Sequence, residues 1–108
     1  MINKKSLLIA LVLLVLVSVA SFANIRQGQY KASNGYVLVI VIEGNMASIR
    51  YYNADMRARS EWIDGQVQSN GNITFTLRGS RYQISFPGVR GQINENYENL
   101  RYTWFSDL

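Results

Sequence analysis

Few residues in this chain carry the chemistry that catalysis needs. It contains no histidine and no cysteine. That removes thiol nucleophiles, disulfides, thiolate zinc sites and every histidine-dependent triad. Two carboxylate pairs lie close in sequence, Glu61 with Asp64 and Glu95 with Glu98. Acid–base work by such a pair needs a cleft that pushes the two pKa values apart. In extended chain, Glu61 and Asp64 point to opposite faces, and Glu95 to Glu98 reads as a turn. Neither pair predicts an enzyme, and acids so scattered predict no metal or cofactor site.

The residues suited to binding are more numerous. Tyr36-Val37-Leu38-Val39-Ile40-Val41-Ile42 has no charged residue on either face, as expected of a strand covered on both sides. The outward set would be Val37, Val39 and Val41 beside Arg50 and Tyr52. Such a face predicts contact with a loop, a second copy of the chain, another protein or lipid. Arg78 and Arg81 are expected to face each other near a hairpin tip, where like charges repel and an anion would relieve them; Asp64 is the neutralising alternative. Trp62, on the same face as Asp64, suits sugar stacking or a protein contact. Arginine and aromatic residues also alternate, as in Arg50-Tyr51-Tyr52 and Arg101-Tyr102. Strand alternation sends those rings inward and the arginines outward, so no nucleic-acid platform is predicted.

The charge agrees. The whole chain carries +4, but Lys4 and Lys5 stand ahead of the apolar run 6–20, and without them the excess falls to two. That is weak for a nucleic-acid binder, which shows a clustered basic face.

The first residues set the destination. A short positive segment, Met1 to Lys5, precedes an apolar run from Ser6 to Ala20, and Ser21-Phe22-Ala23 offers small residues at a cleavage site. This is the layout of a secretory signal peptide over 1–23. An uncleaved membrane anchor over 6–25 is the alternative, since that run is long enough to span a bilayer. Lys4 and Lys5 keep the N-terminus in the cytoplasm in both cases. The domain over 24–108 is therefore expected in the periplasm or medium, touching a membrane only if the leader is retained. Without cysteine, packing alone must hold it there.

What positions the candidates is a meander of short strands. After residue 25 no stretch carries a helical apolar period, while β-branched and aromatic residues alternate between turn signals. Gly44-Asn45 closes one hairpin, pairing Ile42 with Ala47 and Leu38 with Tyr51. Residues 33–35 turn a first strand over 27–32. Gly79-Ser80 is expected to centre a hairpin that sets Leu77 against Tyr82. Pro87-Gly88 should set Phe86 against Val89, and the turn 95–98 should set Ile93 against Leu100. A three-residue loop over 70–72 would set Val67 against Phe75. The longest connection is 53–60.

Eight strands result, the number at which an antiparallel up-and-down sheet can close. A two-sheet β-sandwich is the alternative. The inward row includes Tyr30, Ile42, Val89 and Trp104, and its bulk predicts a packed interior. The outline resembles lipocalin-like small barrels in architecture, without a lipocalin signature motif. Small exported lysozyme inhibitors are comparable barrels, but they typically carry a disulfide.

The expectation for function is a non-catalytic exported binding module. Its partner would be a protein or envelope component, met through Val37, Val39, Val41, Arg50, Tyr52, Trp62, Arg78 and Arg81. A homodimer through strand 36–42 is one form of this. The alternatives are an inhibitor or immunity-type protein against an extracellular hydrolase or toxin, and a small-ligand carrier using the barrel mouth. A carrier requires a cavity of roughly 300 Å³ or more.

Overall fold

The structure, a computed structural model, describes residues 25–108. The expected signal peptide, and all but the last residue of the alternative anchor, lie outside the described residues. Eight antiparallel strands run in sequence order: β1 (Gly28–Ala32), β2 (Val37–Glu43), β3 (Met46–Tyr52), β4 (Ile63–Val67), β5 (Ile73–Leu77), β6 (Ser80–Ser85), β7 (Gln92–Glu95) and β8 (Leu100–Ser106). They close into one barrel. The ladder from β1 to β8 seals it, with a bulge between Gln29 and Tyr30, and that ladder excludes the two-sheet sandwich.

The first two hairpins have the expected registers. Tyr30 meets Leu38, and Leu38 meets Tyr51 while Ile42 meets Ala47. Turn chemistry and hydrophobic pattern agree in both.

The later hairpins correct the expectation. Arg78 and Gly79, at φ 52° and 81°, form the two-residue turn, so Leu77 meets Ser80 and Phe75 meets Tyr82. Positive φ at both centres is the type I′ pattern, and this placement puts Gly79 second. Arg81 therefore pairs with Thr76, and the expected Arg78–Arg81 opposition does not form. Between β4 and β5 the three-residue loop is 69–71 rather than 70–72: Gln68 N–H donates to the Asn72 carbonyl at 2.7 Å, and Val67 meets Ile73. The turn before β8 is 96–99, so Ile93 meets Tyr102.

Pro87-Gly88 departs most. Ile84 meets Glu95, which leaves 86–91 as a six-residue loop. A proline followed by glycine favours a type II turn, whose twist splays hairpin strands. Val89, expected inside, is 53% exposed. The longest connection between strands is 53–62, two residues beyond the expected end.

Every one of these slips is even, two residues or four, so each strand keeps its expected faces. The middle of the barrel is filled as predicted. Tyr30, Tyr51 and Tyr102 are fully buried with Leu38, Ile40, Ile49, Ile73, Ile84 and Ile93. Each of the aliphatic side chains contributes ~1.5–3 kcal/mol relative to exposure. Because strands alternate in direction, connections 33–36, 53–62, 78–79 and 96–99 share one end of the barrel. The other end holds 44–45, 68–72, 86–91, the entering segment 25–27 and the C-terminus.

Candidate functional site: a plugged end and an open mouth

The two ends differ in chemistry. At the first, the long connection folds back on β3: Arg59 N–H donates to the Tyr51 carbonyl at 2.7 Å, and Tyr52 bridges to Ala58. This swings the Arg59 guanidinium over the barrel. It meets the Glu98 carboxylate with both terminal nitrogens, at 2.7 and 3.0 Å. It also lies 3.7 Å from the Tyr36 ring centroid. Burial alone would lower the Arg59 pKa, but the bonds and charge of Glu98 outweigh it and leave it raised.

Beneath this pair lies Glu95, the last residue of β7 and only 2% exposed. Expected in a turn, it stands instead on the inward row, because the turn begins one residue later. Its Oε1 accepts from the Tyr51 hydroxyl at 3.0 Å and from the Glu98 N–H at 2.8 Å. Desolvation pushes its pKa up, opposed by the bonds from Glu98 and Tyr51. Burial, reinforced by the neighbouring carboxylates, pushes Tyr51 and Tyr102 up as well. Tyr97 stacks edge-on against Tyr82 at 4.9 Å and packs beside Tyr51 at 5.7 Å. This end is plugged. The pair Glu95 and Glu98 is built into the plug: one carboxylate is buried and the other is held by Arg59.

Among the described residues the opposite end is open. A pocket of about 850 Å³ enters the barrel there, where the sequence reading expected packed side chains. Its walls include Tyr30, Ile42, Val67, Phe86 and Trp104, and its rim carries Arg26, Arg90 and Gln92. The splayed loop 86–91 accounts for the opening: a tight turn at Pro87 would have brought Val89 inward and closed it.

The segment 25–27 fixes the mouth's other side. The Arg26 carbonyl accepts from the Tyr30 hydroxyl. The Gln27 side-chain oxygen accepts from Ile42 N–H at 3.2 Å, and the Gln27 carbonyl accepts from the Trp104 indole N–H at 3.2 Å. Arg26 lies 3.7 Å from the Trp104 ring centroid. Burial pushes the Tyr30 hydroxyl pKa up to about 12, so it stays a donor.

The surface residues singled out from sequence are only partly brought together. Val37 and Val39 are 1% and 8% exposed, and Val41 is half-buried. Their outward neighbours across the ladders are Lys31 and Tyr52 for Val37, and Gln29 and Arg50 for Val39. Strand 36–42 thus presents little free apolar surface, and in a closed barrel it has no free edge to pair with a second copy. Trp62 is 47% exposed. The Arg50 guanidinium is 5.8 Å from its ring and donates to the Ser60 carbonyl at 2.9 Å; Tyr52 lies 5.6 Å from the same guanidinium. Arg50, Tyr52 and Trp62 therefore form one patch. Arg78 sits apart in its turn, and Arg81 is exposed on β6.

Arg26, Arg59 and Arg90 were not singled out from sequence. They lie in connections or in the entering segment, where no period reports on direction. The only signal was the arginine bias itself: among the nine basic residues after residue 24, eight are arginine, the type suited to stacked and bidentate contacts. Among the described residues no cluster of acidic side chains could hold a metal. Compared with known proteins, the chain matches no family model, and no curated protein or solved structure matches it.

Proposed function

We propose that this chain is an exported, non-catalytic binding barrel that holds a small, largely apolar molecule in its open mouth. The observation that carries the reading is the pocket of about 850 Å³. It falls within the roughly 300–1,000 Å³ of small-molecule sites and combines apolar walls with a few polar groups. The rigid setting of Trp104, held by Gln27 and Arg26, supports it further, because a preformed wall costs little to organise on binding. The plugged far end makes the barrel a cup rather than a channel, which is where the lipocalin-like comparison of architecture is most apt. The charge and apolar run of the leader support a place outside the cytoplasm, in the periplasm or the medium.

The test is titration with N-phenyl-1-naphthylamine, a neutral apolar fluorophore, of protein recovered in detergent-free buffer after expression of the full chain. One saturable site is expected. Ile42→Trp, which adds bulk at the pocket wall, should weaken the fluorophore at least about tenfold while the unfolding midpoint moves little. Absence of saturable binding, or an unchanged affinity in the variant, would end this reading.

A further inference from the structure

Resting on that reading, we infer that the molecule held in the mouth is an anionic amphiphile: an apolar chain or ring system lying against Phe86 and Trp104, with a carboxylate at the rim between Arg90 and Arg26. The charge of the lining is one-sided. Among the described residues two guanidiniums border the pocket and no Asp or Glu does. Arg90 belongs to the splayed loop 86–91 and has no carboxylate within ion-pair distance among the described residues. Arg26 has one, Asp107, through a single 3.3 Å contact between two exposed side chains. Exposed pairs of that kind are worth ~0–1 kcal/mol, so an incoming carboxylate can displace Asp107 at little cost.

The placement of Arg26 adds to this. Its guanidinium is stacked on Trp104, the ring that also walls the pocket. Stacking leaves the in-plane N–H groups free, and these are the donors that meet a carboxylate two at a time. The apolar walls then take the remainder of the molecule. A neutral ligand of equal length would gain the walls but not the rim. A cationic one would meet two like charges.

The experiment compares three ligands of one chain length, dodecanoate, 1-dodecanol and dodecyltrimethylammonium, as competitors for bound N-phenyl-1-naphthylamine, the two ions below their micellar concentrations and the alcohol below its solubility limit. Dodecanoate should displace the fluorophore at about a tenfold lower concentration than dodecanol, with the ammonium weakest. Arg90→Gln should bring the acid-to-alcohol ratio within about twofold of one. Asp107→Asn, by releasing Arg26, should raise the affinity for dodecanoate severalfold and leave the ratio above one. Far-UV circular dichroism confirms that each variant is folded. Equal displacement by acid and alcohol, or an unchanged ratio in Arg90→Gln, overturns the anionic assignment while the apolar pocket stands. Failure of all three competitors against a bound fluorophore overturns the amphiphile while the pocket stands; failure of the fluorophore itself to bind overturns the pocket reading as well.

Discussion

A carboxyl group at Glu95 occupies a position that alternation assigns to a core side chain, and the molecule accommodates it with two donors, the Tyr51 hydroxyl and the Glu98 N–H. Burial still raises its pKa. The folded protein therefore keeps this proton to a higher pH than the unfolded chain, whose carboxyl titrates near 4.5. The stability that Glu95 contributes is complete below that value and is lost as pH rises through the folded one. Glu95→Gln keeps the shape and an acceptor oxygen while removing the titration. Thermal melts between pH 4.5 and neutrality should show the wild-type midpoint declining relative to that of Glu95→Gln; parallel curves would place the proton elsewhere. Glu95→Ala tests the other half of the argument. It leaves the Tyr51 hydroxyl and the Glu98 N–H unpaired beside a void, at a cost of about 2–4 kcal/mol. In a domain of this size that lowers the midpoint by about 10 °C or more.

At the scale of single hairpins, the turn at Arg78 makes a sharp prediction. Arg78 holds φ 52° ahead of Gly79 at 81°, a backbone that asparagine adopts more readily than arginine. Arg78→Asn should stabilise the protein by about 0.5–1 kcal/mol, read as a midpoint about 2–8 °C higher. A loss of stability instead would mean that the arginine side chain holds something the turn alone does not need. The same hairpin shows how legibility works in this chain. A strand period of two separates inside from outside but cannot distinguish registers that differ by two. Only turn chemistry chooses among them. It chose well at Gly44-Asn45, where a single placement satisfies the pattern, and poorly at Gly79, where two placements do. At Pro87-Gly88 the dipeptide reads as a tight turn, yet its own geometry splays the strands, and the mouth of the barrel is the result. The count of strands, their closure and nearly every inward residue were thus legible. The pocket was hidden behind one loop length. Arg59 over Glu98 could not be read at all, because the two residues are 39 apart in sequence and meet through a connection without a period.

For the molecule as a whole, closure depends on one seam. Seven of the eight ladders join neighbours in sequence; the ladder from β1 to β8 joins the ends of the domain and carries the bulge. Gly28 makes that seam fit. Its φ is 142°, and a Cβ there would collide with the Trp104 indole nitrogen and stand 2.6 Å from the Ser106 carbonyl oxygen. Backbone at Ser106 cannot yield without opening the ladder, so the indole would have to leave the Gln27 carbonyl. Gly28→Ala is therefore expected to cost about 2–4 kcal/mol, from strain at a left-handed φ together with the lost packing, and to lower the midpoint by at least about 8 °C. The displaced indole gives a second readout. In a Trp62→Phe background the remaining fluorescence comes from Trp104, and Gly28→Ala should shift its emission to the red under conditions where circular dichroism still reports a folded barrel. The same variant should lose the neutral fluorophore, because the wall of the mouth and the seam of the barrel are one side chain. Wild-type melting with unshifted emission would show that the seam accepts a Cβ at position 28 without moving the indole, and would end this argument.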